Sequence, residues 1–142
     1  MRISKKTEYA VHSILYISNK NRCVLLDELA MQGISREYLA KVMRMLTKSK
    51  ILKSSVGVNG GYVLARTADM ITLEDIFNAV EGENFYKCEA EARRCVLGED
   101  CKLSVIFQDA REKFLEELRK YTIADIMSGL DSELSWLNAE VT

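Results

Sequence analysis

The chain of 142 residues contains no proline, one histidine and one tryptophan. Without proline, neither a polyproline recognition tail nor a long stiff linker is expected. No apolar run approaches the roughly 18 residues that a membrane-spanning helix needs. The stretch MRISKKTEYAVHSILYIS is positive, but Glu8, His12 and Ser13 interrupt its apolar residues. That pattern is amphipathic and unlike a signal peptide, so a soluble cytoplasmic protein with no membrane partner is expected. Also missing are a C-x-x-C pair, a glycine-rich phosphate loop and a second histidine to act beside His12. These absences argue against a small metal or redox enzyme, and no catalytic residue is expected.

What is present divides by charge. Hydrophobic residues make up 48% and charged residues 29%, enough for a folded core. Residues 1–66 hold 12 Lys+Arg against 4 Asp+Glu, a net +8; residues 67–142 hold 8 against 17, a net −9. A basic half joined to an acidic half suggests a module for a polyanion on an acidic body. Chance segregation on a solvated surface is the plainer alternative.

The basic half reads as a helix from about Ser4 to Ser18, a short helix around Asp27–Met31, a break at Gln32-Gly33 and a third helix over Arg36–Ser49 capped by Ser35. In the third helix Tyr38, Leu39, Val42, Met43 and Leu46 fall on one arc. Arg36, Glu37, Lys41, Arg44, Thr47 and Lys48 fall on the other. One face can pack while the other presents four cations, which is the helix-turn-helix arrangement. Strands are expected over Leu52–Val56 and Tyr62–Arg66, with Asn59-Gly60 supplying positive φ to a tight hairpin. A hairpin after a helix-turn-helix makes a wing, whose small tip lets backbone N–H groups approach phosphates.

Thr72 opens a fourth helix through a capping box with Asp75, ending near Gly82. Glu83–Cys101 is a polar loop, and Lys102–Tyr121 a long helix striped with Leu103, Ile106, Phe107, Ala110, Phe114 and Leu118. So small a protein has few places to bury that stripe, and pairing with a second copy is the natural solution. Packing within the chain is the alternative. Thr122 and Asp125 form a second capping box for TIADIMS; no role is assigned to the tail Asp131–Thr142. The expected fold is therefore mainly α with a small β-hairpin wing. Residues 1–82 form a winged helix-turn-helix, 83–101 a cysteine-bearing loop, and 102–142 a dimerisation helix and tail.

Cys88, Cys95 and Cys101 are spaced C-x6-C-x5-C in that loop. Grouped cytosolic cysteines suggest a metal or redox site more than a structural disulfide. The spacing differs from that of zinc ribbons, while thiolates in a loop suit iron–sulphur clusters. A reversible disulfide switch and plain thiols are the alternatives. Glu8 and His12, four apart, share one face of the first helix, either as possible ligands or as a local surface pair. Cys23 stands apart as an incidental thiol.

Four segments in order carry a family resemblance: MRISKKTEYAVHSILYIS, ISREYLAKVMRMLTKSKIL, SSVGVNGGYVLAR and ITLEDIFNAVEG. They resemble the signature segments of the Rrf-two family of bacterial winged-helix regulators, the IscR/NsrR-like proteins, over about residues 1–130. The resemblance implies a homodimeric transcription regulator, most simply a repressor, with long C-terminal helices crossing between subunits. It implies a palindromic double-stranded DNA operator and an iron–sulphur cluster that sets operator affinity in response to redox state, nitric oxide or iron–sulphur status. The sequence departs from one pattern of this family where Ser104 stands three residues after the last cysteine, a place that can hold a histidine. TEYAVH and TIADIM look most like a redox-sensing branch with a 2Fe–2S centre, two cysteine ligands and counterparts of Glu8 and His12. Val56 stands where a wing arginine is frequent.

By that resemblance Cys95 and Cys101 are the first thiolate ligands, with Cys88 a third that a 4Fe–4S cluster would need. Glu8 and His12 would come from the partner subunit. Arg36, Lys41, Arg44 and Lys48 would face the major groove with Glu37 among them. Arg2, Lys5 and Lys6 would lie on phosphates, and Asn59 and Gly60 at the wing tip. A cluster-free regulator worked by a thiol switch or a protein partner is the alternative.

Overall fold

The structure, a computed structural model, describes residues 3–30, 33–82 and 101–129. Helix α1 (Lys5–Lys20) begins at Ser4, whose hydroxyl accepts the Thr7 N–H. It runs two residues past the expected Ser18 and stops where Asn21 turns left-handed, at φ 50°. Helix α2 (Leu26–Ala30) is a single turn, and Met31 of its expected end lies outside the described residues. Helix α3 (Arg36–Lys48) is capped by the Ser35 hydroxyl, which accepts from the Tyr38 N–H. Its Leu39, Val42, Met43 and Leu46 sit at helical spacing and are all but fully buried. They meet Ala10, Ile14 and Ile17 of α1 and Leu29 of α2 in one core.

Strands β1 (Leu52–Ser55) and β2 (Gly61–Leu64) pair antiparallel, Leu52 opposite Leu64 and Ser55 opposite Gly61. Each is shorter than the sequence suggests, and the connection is five residues, 56–60. The conformational demand therefore moves. Gly57 (φ 115°) and Gly61 (φ 138°) take the positive φ angles, while Asn59 and Gly60 do not. Five residues can close the hairpin without the two consecutive left-handed residues that a two-residue turn requires. A third strand-like contact is added by Val24, which exchanges both backbone hydrogen bonds with Tyr62, at 3.0 and 2.8 Å. Gly61 is needed there: a Cβ on it would stand 2.7 Å from the Val24 carbonyl oxygen.

A 3-10 turn (Ala68–Met70) leads to helix α4 (Leu73–Glu81), which opens on the expected Thr72–Asp75 capping box. Helix α5 (Lys102–Arg119) follows, then α6 (Ile123–Gly129). The second box is present too: Asp125 accepts from the Thr122 N–H at 2.9 Å, and Thr122 from the Asp125 N–H at 3.1 Å. Both box threonines pair as an isolated bridge, through Leu73 N–H to Tyr121 O and Ile123 N–H to Ile71 O. This bridge fixes α6 beside the start of α4. The last turns of α5 pack on α4 through Phe114 edge-on to Phe77, at 5.1 Å, and a two-bonded Arg119–Glu74 pair at 2.6 and 2.7 Å. The first turns do not: Leu103, Val105, Ile106 and Phe107 are exposed, and Leu115 is the one buried residue of the helix. The expected stripe is thus packed within the chain at one end only. The tail from 130 onward lies outside the described residues.

Candidate nucleic-acid interface and metal-ligating residues

Burying Leu39, Val42, Met43 and Leu46 turns the opposite face of α3 to solvent. Arg36, Glu37, Lys41, Arg44 and Lys48 are all exposed there, as the spacing predicts. Thr47 is half-buried, and its hydroxyl donates to the Met43 carbonyl at 2.8 Å. Lys41, Arg44 and Lys48 make no ion pair among the described residues, so three cations stand uncompensated on one face. Arg36 differs: its Nε donates to Asp27 Oδ1 of α2 at 2.7 Å.

Around that face the arrangement is mixed. Arg2 lies outside the described residues. Lys5 is exposed and bonds Glu8 at 2.9 Å, with its ammonium 5.9 Å from the Tyr9 ring. Lys6 instead turns toward α4, donating to the Val80 carbonyl at 3.2 Å and standing 3.5 Å from Glu81. At the wing, Val56, Val58 and Asn59 are exposed. Gly60 is buried, and its N–H donates to Gly57 O at 2.9 Å. The exposed tip is therefore 56–59, and the Gly60 amide is already engaged.

Two cations outside the expected set complete the surface. Lys50 and Lys53 are exposed beside a groove of about 790 Å³ between the end of α3 and the strands, which Thr47 and Ser54 also line. The run KSKILK carries the signal, but Lys50 and Lys53 lie beyond the helical period that picks out the α3 face. Asp27 had no signal at all, because its link to Arg36 spans nine residues and a turn.

Glu8 and His12 lie one turn apart on α1, both half-buried on the wall of a groove of about 550 Å³. The rest of that wall is mostly apolar, including Val11, Leu73, Phe77 and Phe114. The hydrogen bond from Lys5 holds Glu8 below the ordinary carboxylate range against the opposing effect of burial, and the charges of Lys5 and His12 add to the lowering. Cys101 is half-buried and caps α5, with Ser104 in the first turn after it. Cys88 and Cys95 lie outside the described residues. Among the described residues no three of His, Cys, Asp and Glu gather closely enough to hold a metal ion. The donor chemistry nevertheless fits an iron centre: carboxylate oxygen, imidazole nitrogen and thiolate sulphur are all iron ligands.

Comparison with known proteins places this geometry. The profile of the Rrf2 family, described as an iron-dependent transcriptional regulator, matches residues 3–129. Protein aau3 of Rhizobium meliloti (strain 1021) is 34% identical over 131 residues, covering 89% of this chain and 85% of that protein. The HTH-type transcriptional regulator IscR of Erwinia tasmaniensis is 32% identical over 132 residues, covering 90% and 79%. Among solved structures, T. potens IscR superposes with a TM-score of 0.70 at 25% identity, covering 95% of this chain and 90% of that one. CymR (YrzC), the global cysteine regulator of B. subtilis, does so with a TM-score of 0.65 at 27% identity, covering 90% and 97%. With the family profile spanning nearly the whole described chain and the helix-turn-helix and hairpin in place, this protein belongs to the Rrf2 family of winged-helix transcriptional regulators.

Proposed function

We propose that the protein is a homodimer that binds a palindromic operator, as a repressor, and that an iron–sulphur cluster sets its affinity for DNA. Members of the family are transcriptional regulators and not enzymes. Residues 1–82 read DNA, 83–101 hold the cluster, and 102–142 join the two copies. No described helix is long and apolar enough to cross a membrane.

The reading of DNA rests on the cationic face of α3. Lys41, Arg44 and Lys48 line the major groove with Arg36 and Glu37; Arg2, Lys5 and Lys6 lie toward phosphates, and Asn59 and Gly60 belong to the wing. For Lys6 this requires exchanging Glu81 for a phosphate. The homodimer is supported by the first turns of α5, where Leu103, Val105 and Ile106 are each more than half exposed.

The observation that carries the sensing reading is the placement of Glu8 and His12, side by side on an apolar groove wall and on the helix that supports α3. Cys95 and Cys101 are the thiolate ligands, with Cys88 as a third, and Glu8 and His12 of the partner subunit complete the set. A 2Fe–2S cluster fits two thiolates plus these two; a 4Fe–4S cluster would use all three cysteines. Such a cluster supplies one-electron chemistry and reactivity toward oxidants and nitric oxide. To ligate, Glu8 exchanges its bond to Lys5 for the metal. A shift of α1 then reaches α3 through Tyr9, whose ring stands edge-on to Tyr38 at 5.7 Å. Operator half-sites are about 34–36 Å apart, so a small tilt of α3 changes the fit.

Likeness to an IscR and to a cysteine regulator supports two sensing chemistries. The second reading is a cluster-free regulator with a thiol switch among Cys88, Cys95 and Cys101, or one acting through a protein partner. The test is a visible spectrum of protein purified without oxygen, with iron and acid-labile sulphide counted per subunit, repeated on Glu8→Ala and His12→Ala. A coloured protein with iron and sulphide in equal amounts, whose spectrum shifts in both variants, is expected. A colourless, iron-free protein that still binds DNA and loses free thiols on mild oxidation overturns it in favour of the switch.

A further inference from the structure

Arg36 is the first residue of α3, and among the described residues it alone of the cations on that face is held by an acid. We infer that Asp27 orients Arg36 to read a guanine in the major groove, making Asp27 a specificity-determining positioning residue; this rests on the DNA-binding reading above.

The argument is geometric. A guanidinium carries five N–H donors in a planar fork, one on Nε and four on the two terminal nitrogens. Asp27 Oδ1 takes the Nε donor at 2.7 Å, and Arg36 makes no other hydrogen bond among the described residues. The acid thus occupies the side of the plane and leaves the end-on pair of terminal nitrogens open. That pair matches the O6 and N7 acceptors which guanine presents in the major groove. The position also fits, because base edges are met by the N-terminal residues of a recognition helix.

Two plainer roles are disfavoured. The two side chains are 66% and 72% exposed, and an exposed ion pair adds little to stability. A phosphate-binding role for Arg36 is equally ill served, since a carboxylate beside it cancels the charge that attracts phosphate. Asp27 would itself repel the DNA backbone. An acid that weakens attraction to every duplex, while fixing the direction of one donor fork, exchanges affinity for discrimination.

The test is selection from a pool of random double-stranded oligonucleotides by the full-length protein. It is repeated with Asp27→Ala and with Arg36→Lys, which keeps the charge and loses the fork. The wild-type protein is expected to enrich a site in which one guanine per half-site is preferred about tenfold or more over the other bases. In Arg36→Lys that preference falls to about threefold or less at that position alone. Asp27→Ala shows the same loss, and its binding to an unrelated duplex tightens because a negative charge has left the surface. A merely structural acid would weaken both kinds of binding together. An enriched site whose bases are read equally well by all three proteins overturns the inference and leaves DNA binding intact. Enrichment of no sequence by any of them overturns the DNA-binding reading itself, and the inference with it.

Discussion

Helices α3 and α5 both carry an apolar stripe at helical spacing, yet among the described residues the stripe of α3 alone is covered along its whole length. In α3 the residues Leu39, Val42, Met43 and Leu46 are at most 1% exposed. In α5 the residues Leu103, Val105, Ile106 and Phe107 are 43–59% exposed. The difference follows from what surrounds each helix. Three helices and a hairpin converge on α3, so its stripe has an intramolecular solution. Among the described residues, the far end of α5 packs on α4, at Phe77 and Glu74. Apolar side chains left half in water forgo stabilisation at about 25 cal/mol per Å² of surface not buried. Among the described residues, α3 is thus covered within the chain and the start of α5 stays exposed, the surface on which the proposed dimer rests.

The sharpest way to break that comparison is to put a charge on each of the two parts of α5, exposed and buried. Ile106→Asp should leave the helix-turn-helix folded, with its far-ultraviolet circular dichroism retained, and produce a monomer in sedimentation. Binding to the duplex selected by the wild-type protein should fall by roughly a hundredfold or more, because a reader tied to two half-sites loses the effective concentration of the second. Leu115→Asp, by contrast, buries its charge at the α4 contact, where the residue is 4% exposed, and should unfold the α5 end of the chain. An Ile106→Asp protein that remains dimeric would remove α5 from the interface.

A smaller effect separates the two glycines of the wing. Gly61→Ala meets the Val24 carbonyl oxygen at 2.7 Å and also keeps a φ of 138°. Gly57→Ala carries backbone strain at φ 115°, but nothing lies within 4 Å of the added carbon. Strain alone costs about 1–3 kcal/mol. Urea denaturation should therefore place Gly57→Ala in that range and Gly61→Ala below it in stability. Equal losses would mean that the Val24–Tyr62 pairing yields easily, and that the wing is held by its own ladder alone.

The same comparison shows which parts of the fold were legible in the sequence. Helix starts were legible because a cap is a local chemical match: Ser4, Ser35 and both Thr–Asp boxes lie where their spacing puts them. The burial of α3 was legible because its period is unbroken. The hairpin was legible as an element, but its turn was misread. Asn59-Gly60 is expected to supply the positive φ, but the five-residue connection sits one residue earlier in the chain and places that demand on Gly57 and Gly61. Contacts between distant segments left no periodic trace. The Val24–Tyr62 bridge, the Arg36–Asp27 pair and the capture of Lys6 by Glu81 each join residues with no shared pattern. For the ligand set, spacing could group Glu8 with His12 and the cysteines with one another, but spacing carries no information on how the two groups approach.

The Glu81 clamp gives the smallest of the expected effects, and it lies where the two regions join. Its carboxylate accepts from the hydroxyls of Ser4 and Thr7 and faces Lys6 at 3.5 Å, tying the start of α1 to the end of α4 just ahead of the cysteine loop. Burial alone would raise the pKa of this group. The hydroxyl donors and the Lys6 charge outweigh burial and hold it below the ordinary carboxylate value. A carboxylate whose pKa is lowered by folding stabilises the fold above its unfolded value, near pH 4.3, and loses that contribution as pH falls through the folded value. Glu81→Gln keeps an acceptor for the hydroxyls and removes the charge. At pH 7 it should cost about 0.5–1.5 kcal/mol, the range of one net hydrogen bond. At about pH 3 the wild-type group is largely protonated in the unfolded chain, so the gap between the two proteins should narrow. Urea melts at both pH values measure this difference directly. A gap that is the same at both would mean that the Glu81 charge adds nothing to the clamp, and that Lys6 is free to exchange its partner for a phosphate at no electrostatic loss.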